Sequence, residues 1–436
     1  MLNKIKNNVF LKSVIILLFG GILGKSVGFI LKIIITRILG PTGMGLYSML
    51  GPLTSLFSVI ALFSYPTTLS KIISKGNFRS KVVLFNTFLF SICLNIFLIL
   101  LIIIFRDVLT SFLLKNNDLA IPLIFSALSL PFISTSAIIK GYFWGKQDMA
   151  PYMLSNFIEQ ISRFILIILF LDKIKSFGVI YAISFILFVN IIGEVISQIV
   201  MAFYFPKGSI NFKELIVSKD VISEVLDVSL PSISSKLIGS FCYFLEPIII
   251  TNLFLYLGYS HEYILFEYGV FNGYSMSLLL LPQFFIQNMS TALVPEISKN
   301  YYKKNYDLCL KRIKQVILAS VSIGSIFTLI ILLKPSFFLN LIYGVTYGID
   351  YIRFLSPFII LYYIEYPLIN VLHALNMSKK LLIVTIIGSL IRTLSLILFS
   401  FLRIGMYSLV FAVIINLIFS TFSYYYLVMK QLKKKH

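Results

Sequence analysis

Residues 13–40 read SVIILLFGGILGKSVGFILKIIITRILG. The stretch is long enough to cross a bilayer, which takes about 20 predominantly apolar residues. Yet Lys25 and Lys32 sit inside it, and Arg37 stands near its far end. A charge at the bilayer centre costs roughly 2.5–3.5 kcal/mol on insertion scales. A helix serving only as an anchor would not keep two. Seven residues apart, Lys25 and Lys32 fall on one helical face. That face cannot look at lipid, so it is expected to line a wet or polar cavity. Gly20, Gly21, Gly24 and Gly28 thin the same helix and permit a bend or a close helix contact.

The rest of the chain agrees with a membrane setting. Of 436 residues, 58% are hydrophobic and 12% are charged, against about 25% charged in soluble domains. This predicts an all-α polytopic membrane protein. The net charge of +20 would suggest nucleic acid in a soluble chain, but here the basic residues sit in short loops, so no nucleic-acid partner is expected. The first apolar stretch is too long for a signal peptide and lacks a small-residue cleavage site. Cys93, Cys242 and Cys309 have no paired spacing, and His261, His373 and His436 are scattered. Neither a disulfide nor a metal site is expected.

About twelve spanning helices are predicted: 13–39, 46–64, 82–105, 119–140, 151–171, 178–204, 228–257, 268–290, 313–333, 352–374, 380–402 and 405–429. With the amino terminus inside, Lys and Arg favour the cytoplasmic segments by about three to one, as the positive-inside rule requires. That register puts both termini in the cytoplasm. The longest polar connection, 206–227, divides the chain into six-helix bundles at 1–205 and 228–436. The halves repeat each other. Ser70-Lys71 recurs as Ser298-Lys299 and Met149 as Met377, both at an offset of 228; Arg163 recurs as Arg392 at 229, and Gly178 as Gly405 at 227. An even helix number per half inserts both copies the same way up. The result is a parallel repeat with a site expected between the halves.

Five cations fall well inside predicted spans, away from their ends: Lys25, Lys32, Arg163, Lys236 and Arg392. Facing lipid, they would cost on the order of 10–20 kcal/mol, as much as a whole fold is worth, about 5–15 kcal/mol. Two remedies fit: a cation-lined cavity, or ion pairs with Glu159, Glu194, Glu246 or Glu365. The two can coexist. Glu159 stands one turn before Arg163, the spacing of a helical salt bridge. A cavity of Lys and Arg attracts phosphate or pyrophosphate through charge-assisted hydrogen bonds. A site for cationic drugs would want the reverse. The same glutamates would also suit a coupling proton or sodium ion. No GxxxxGK[ST] loop, nucleophile elbow or HExxH occurs, so neither ATP hydrolysis nor a catalytic residue is expected.

Several motifs carry a family resemblance. Gly28-Phe29, Lys32, Arg37 to Gly40 and Gly43 to Tyr47 form the first. Lys140 to Gly145, then Met149 to Pro151, then Glu159-Gln160 with Arg163 form the second. Thr291 to Ser298 form the third. Together they resemble the stage V sporulation protein B and polysaccharide-exporter (oligosaccharide flippase) family, within the multidrug/oligosaccharidyl-lipid/polysaccharide exporter superfamily. The resemblance implies a V-shaped pair of six-helix bundles. It implies alternating access that flips an undecaprenyl-pyrophosphate-linked saccharide, a wall, spore-cortex or polysaccharide precursor, across the bacterial cytoplasmic membrane. Coupling would be to a Na+ or H+ gradient or the membrane potential, with no bound cofactor. Lys32 stands where that family carries a basic residue, and Arg163 fits its EQxxR pattern. Many members have fourteen helices, and Trp144 replaces a usually polar residue.

The expected substrate site is therefore Lys25, Lys32, Arg37, Arg163, Lys236 and Arg392, with Glu159, Glu194, Glu246 and Glu365 as ion-coupling or ion-pairing partners. The expected partners are the lipid-linked saccharide, membrane lipids and wall-synthesis enzymes. The competing readings are an ion-coupled multidrug exporter of the same fold, and a non-transporting scaffold for wall-synthesis enzymes.

Overall fold

A computed structural model describes residues 9–205 and 217–433, all of whose regular structure is helical. Helix α1 runs Val9–Leu62, α2 Tyr65–Lys75, α3 Ser80–Ile104, α4 Ala120–Gly145, α5 Ala150–Lys175, α6 Val179–Ala202 and α7 Lys219–Tyr256. After these come α8 His261–Gly269, α9 Met276–Leu279, α10 Gln283–Tyr302 and α11 Tyr306–Leu333. The chain ends with α12 Pro335–Tyr343, α13 Ile349–Ala374, α14 Ser378–Phe401 and α15 Tyr407–Lys433.

Ten described helices are long and apolar enough to cross a membrane. The chain is a multi-pass membrane protein. The difference from about twelve has two causes. Two expected spans are merged in Ser26–Lys75, a stretch of 50 residues. It is broken at Gly40, whose φ of 73° and ψ of 178° leave the helical region. Pro41 follows, and a proline disfavours helical geometry in the residue before it. Glycine adopts the alternative without strain. The expected span 268–290 is broken into α8, a π-helical turn at Val270–Ser275, α9 and the start of α10. Leu280–Pro282 interrupts the ladder. Gln283, Gln287, Asn288, Glu296 and Lys299 make α10 too polar to count by composition.

The chain divides into two compact units, 1–39 with 49–244 and 40–48 with 245–436. The division falls inside α7 rather than at the polar connection 206–227. Of that connection, 206–216 lie outside the described residues. The remainder begins α7, whose first turns pack into the core of the first unit. Val221, Val225 and Ile233 join Tyr65, Leu69, Ile72, Ala137 and Phe143 there. Thr68 and Ser229 share a hydrogen bond of 2.8 Å, and Lys75 Nζ meets Glu224 Oε1 at 3.0 Å.

The second unit has its own core, including Leu293, Ile297, Cys309, Val371, Leu372 and Tyr424. It claims residues 40–48 from α1 because Gly45 lets α1 touch α8 backbone to backbone. A Cβ at Gly45 would stand 1.9 Å from the Leu265 carbonyl oxygen, and one at Gly269 would stand 2.0 Å from that of Pro41.

The repeat seen in the sequence is present in three dimensions. Tyr65, Leu69 and Phe143 of the first core correspond at an offset of 228 to Leu293, Ile297 and Val371 of the second. Left-handed turns recur as well: Gly76 with Lys304, Lys115 with Gly344, Gln147 with Asn376 and Gly178 with Gly405. Left-handed backbone is uncommon outside glycine. Its return at nearly constant spacing marks one six-helix plan used twice.

Candidate ion-paired site

In the first unit, three helices bring four ionisable side chains together. Arg163 and Glu159 lie one turn apart on α5, with Nη2 and Oε1 separated by 2.8 Å. Glu194 on α6 places Oε1 at 3.5 Å from the same nitrogen. Lys140, in the penultimate turn of α4, holds Nζ 3.8 Å from Glu159 Oε2 and 3.7 Å from Glu194 Oε2. The glutamate side chains are only 5% and 11% exposed. Arg163 also approaches the Asn190 carbonyl at 3.5 Å. Two carboxylates and two cations leave no net charge. That is how a buried ionic cluster becomes tolerable.

Gly193 makes room for this network. A Cβ there would lie 2.4 Å from Arg163 Nε and 2.9 Å from its Cγ. The Arg163 side chain therefore passes close against α6 at the one residue of that helix without a side chain. Around Lys140, Tyr152 presents its ring at 6.0 Å and packs edge-on against Trp144, with centroids 5.6 Å apart.

The second unit has a smaller counterpart. Arg392 on α14 reaches Glu246 on α7, with Nη2 and Oε2 2.5 Å apart. The Tyr268 hydroxyl donates to Glu246 Oε1 at 3.3 Å. Glu365 on α13 lies within electrostatic reach of Arg392. Arg163 and Arg392, matched in the repeat, thus each hold a buried glutamate. The acid comes from the same and the following helix in one unit, and from the unit's first long helix in the other.

The remaining expected cations behave differently. Lys32 is exposed within a spanning helix, and no acid pairs with it among the described residues. Lys236 is exposed too, and its Nζ reaches Ser64 Oγ at 3.3 Å rather than Glu246. Ser64 belongs to the left-handed break between α1 and α2. Arg37 is exposed. The side chain of Lys25 lies outside the described residues.

Lys140 is the residue that sequence reasoning missed. Its two acids come from other helices, so no pairing is visible in the sequence around it. Its signal was its place in the Lys140 to Gly145 motif. Gly193 carried no signal beyond being a glycine beside Glu194.

The fold is that of a multidrug-exporter-type transporter. The chain superposes on an inward-facing multidrug resistance MATE family transporter of the MOP superfamily with a TM-score of 0.76. The two are 17% identical, and the match covers 95% of this chain and 96% of that one. A family model described as polysaccharide biosynthesis protein matches residues 10–301, and the chain belongs to that family. It is 28% identical to stage V sporulation protein B of Bacillus subtilis (strain 168) over 395 residues, 88% of this chain and 76% of that protein. It is 21% identical to lipid II flippase MurJ of the same organism, over 88% of this chain and 76% of that one. Of these, one is named a lipid II flippase and one a multidrug resistance transporter.

Proposed function

We propose that this chain is a flippase for a saccharide linked through phosphate or pyrophosphate to a polyprenyl lipid such as undecaprenol. It would act in the bacterial cytoplasmic membrane with both termini in the cytoplasm. One observation carries the reading: Lys32 and Lys236 expose their ammonium-bearing side chains in spanning helices without an acid partner among the described residues. An unneutralised charge in a membrane-spanning helix is costly unless it meets water or an anion. The similarity to lipid II flippase MurJ supports a lipid-linked substrate.

On this reading Lys25, Lys32, Arg37 and Lys236 supply the charge that meets the phosphate. Arg163 and Arg392 enter by exchanging a carboxylate for a substrate oxygen, since both are ion-paired. Protonation or a sodium ion at Glu159, Glu194, Glu246 or Glu365 would release the paired cation. That gives an ion gradient or the membrane potential a route to the transport cycle.

The test is binding of a short-chain polyprenyl pyrophosphate to the purified full chain in nanodiscs. Lys32→Gln and Lys236→Gln are each expected to weaken it about tenfold or more, as loss of a charge-assisted contact would. Unchanged affinity in both variants would remove the phosphate from the proposal. An expressing strain that gained resistance to cationic drugs would favour drug export instead.

A further inference from the structure

The ionic clusters leave unused a cavity of about 550 Å³ in the second unit, where α7 gives way to α8 and the α12–α13 and α14–α15 turns meet. Tyr259, Tyr263, Tyr351 and Tyr407 line it, together with Glu267, Asp350 and Arg403. Its volume lies within the range of small-molecule sites, about 300–1,000 Å³. We infer that this cavity is a saccharide-binding site that holds the sugar portion of the transported molecule at the outer ends of the helices. The inference rests on the flippase reading and deepens it.

The chemistry of the wall selects the ligand class. Tyr259 and Tyr263 stack with centroids 5.1 Å apart and planes inclined by 17°. Tyr351 and Tyr407 meet edge to face at 5.3 Å. Such rings offer flat apolar faces with a polar rim, which suits a pyranose with its C–H faces and ring of hydroxyls. Glu267 and Asp350 accept from sugar hydroxyls, and Arg403 donates to them. Two carboxylates against one guanidinium disfavour a phosphate. The mixture of rings and charges disfavours a purely apolar drug.

The wall is built rather than incidental. The Tyr351 hydroxyl donates to Glu267 Oε2, fixing the carboxylate against the cavity. The Tyr259 hydroxyl donates to the Arg403 carbonyl at 2.8 Å and accepts from the Gly405 N–H at 3.1 Å. A Cβ at Gly405 would stand 2.3 Å from the Tyr263 hydroxyl. The α14–α15 turn is thus pinned against the tyrosine stack. A second cavity of about 440 Å³, lined by Thr42 and Glu262, shares Tyr263 and Phe266 with the first. That gives room beyond one sugar residue.

Saturation-transfer NMR on the full chain in nanodiscs tests this, with glucose, N-acetylglucosamine and glucosamine as probes. Transfer to sugar C–H protons is expected in the unaltered chain, at least fivefold weaker in Tyr263→Ala and in Glu267→Gln. Tyr351→Phe keeps the ring and serves as the milder second variant, for which reduced transfer is expected. Transfer that is absent, or equal in all four proteins, overturns the inference. Transfer confined to glucosamine would show an ammonium site instead. Polyprenyl-pyrophosphate binding is measured in parallel. In the unaltered chain, lipid binding without sugar transfer sinks the cavity but spares the flippase reading; sugar transfer without lipid binding does the opposite.

Discussion

Arg392 Nη2 stands 2.5 Å from Glu246 Oε2, joining α14 to the last turns of α7. The glutamate is buried. Removing one partner of such a pair typically costs about 3–5 kcal/mol, because the other charge is left uncompensated, whereas replacing both is often neutral. Arg392→Met should lower the thermal unfolding midpoint in detergent, and Glu246→Gln alone should do so by less. The double variant should recover most of the loss. Additive effects in that double-mutant cycle would show that the pair is not energetically coupled.

Gly193 offers a local test of the first cluster. A methyl group there would overlap Arg163 Nε and Cγ. Gly193→Ala should disturb the arginine without touching a charge. The expected result is reduced transport in a complementation strain at a normal protein level. Wild-type transport would show that Arg163 has another pose of equal worth.

The parallel repeat predicts sidedness. With Cys93, Cys242 and Cys309 replaced, Asn77→Cys and Asn305→Cys should label from one face of the membrane, because they follow the matched turns at Gly76 and Lys304. Phe177→Cys and Ile404→Cys, before the matched glycines 178 and 405, should label from the other. Opposite labelling within either pair would contradict the repeat.

Matched core positions should cost alike. Leu69 and Ile297 are both fully buried, and truncating such a residue to alanine costs about 2–5 kcal/mol. Leu69→Ala and Ile297→Ala should each lower the unfolding midpoint. An unchanged midpoint in either would mean that its unit relaxes around the gap.

The helices, the repeat and the Arg163–Glu159 pair were legible in the sequence because each is a local or periodic signal. A run of apolar residues, an offset near 228 and an i,i+4 spacing can all be read without coordinates. What could not be read were partners from other helices. Arg392 has no acid near it in sequence, so its glutamate emerged only when α7 and α14 were seen together. Lys236 has Glu246 ten residues along, but it reaches Ser64 instead, since ten residues separate the two by about 15 Å along the helix. The break of the expected span 268–290 was foreshadowed by Pro282 alone. The polarity of α10 was visible, but its membership in the same span was not. The tyrosine cavity had no signal, because it is assembled from three separate chain segments, 259–270, 347–351 and 403–407.

The central claim is that lysines of the spanning helices carry the phosphate of a lipid-linked saccharide, Lys32 and Lys236 having no acid partner among the described residues. Its most direct test is the flipping rate of a fluorescent polyprenyl-pyrophosphate saccharide in proteoliposomes, comparing the unaltered chain with Lys25→Gln/Lys32→Gln/Lys236→Gln at equal reconstitution. The account predicts a rate lower by about tenfold or more, with the unfolding midpoint unchanged, since one lost factor of ten corresponds to about 1.4 kcal/mol. A triple variant that flips at the unaltered rate would contradict it.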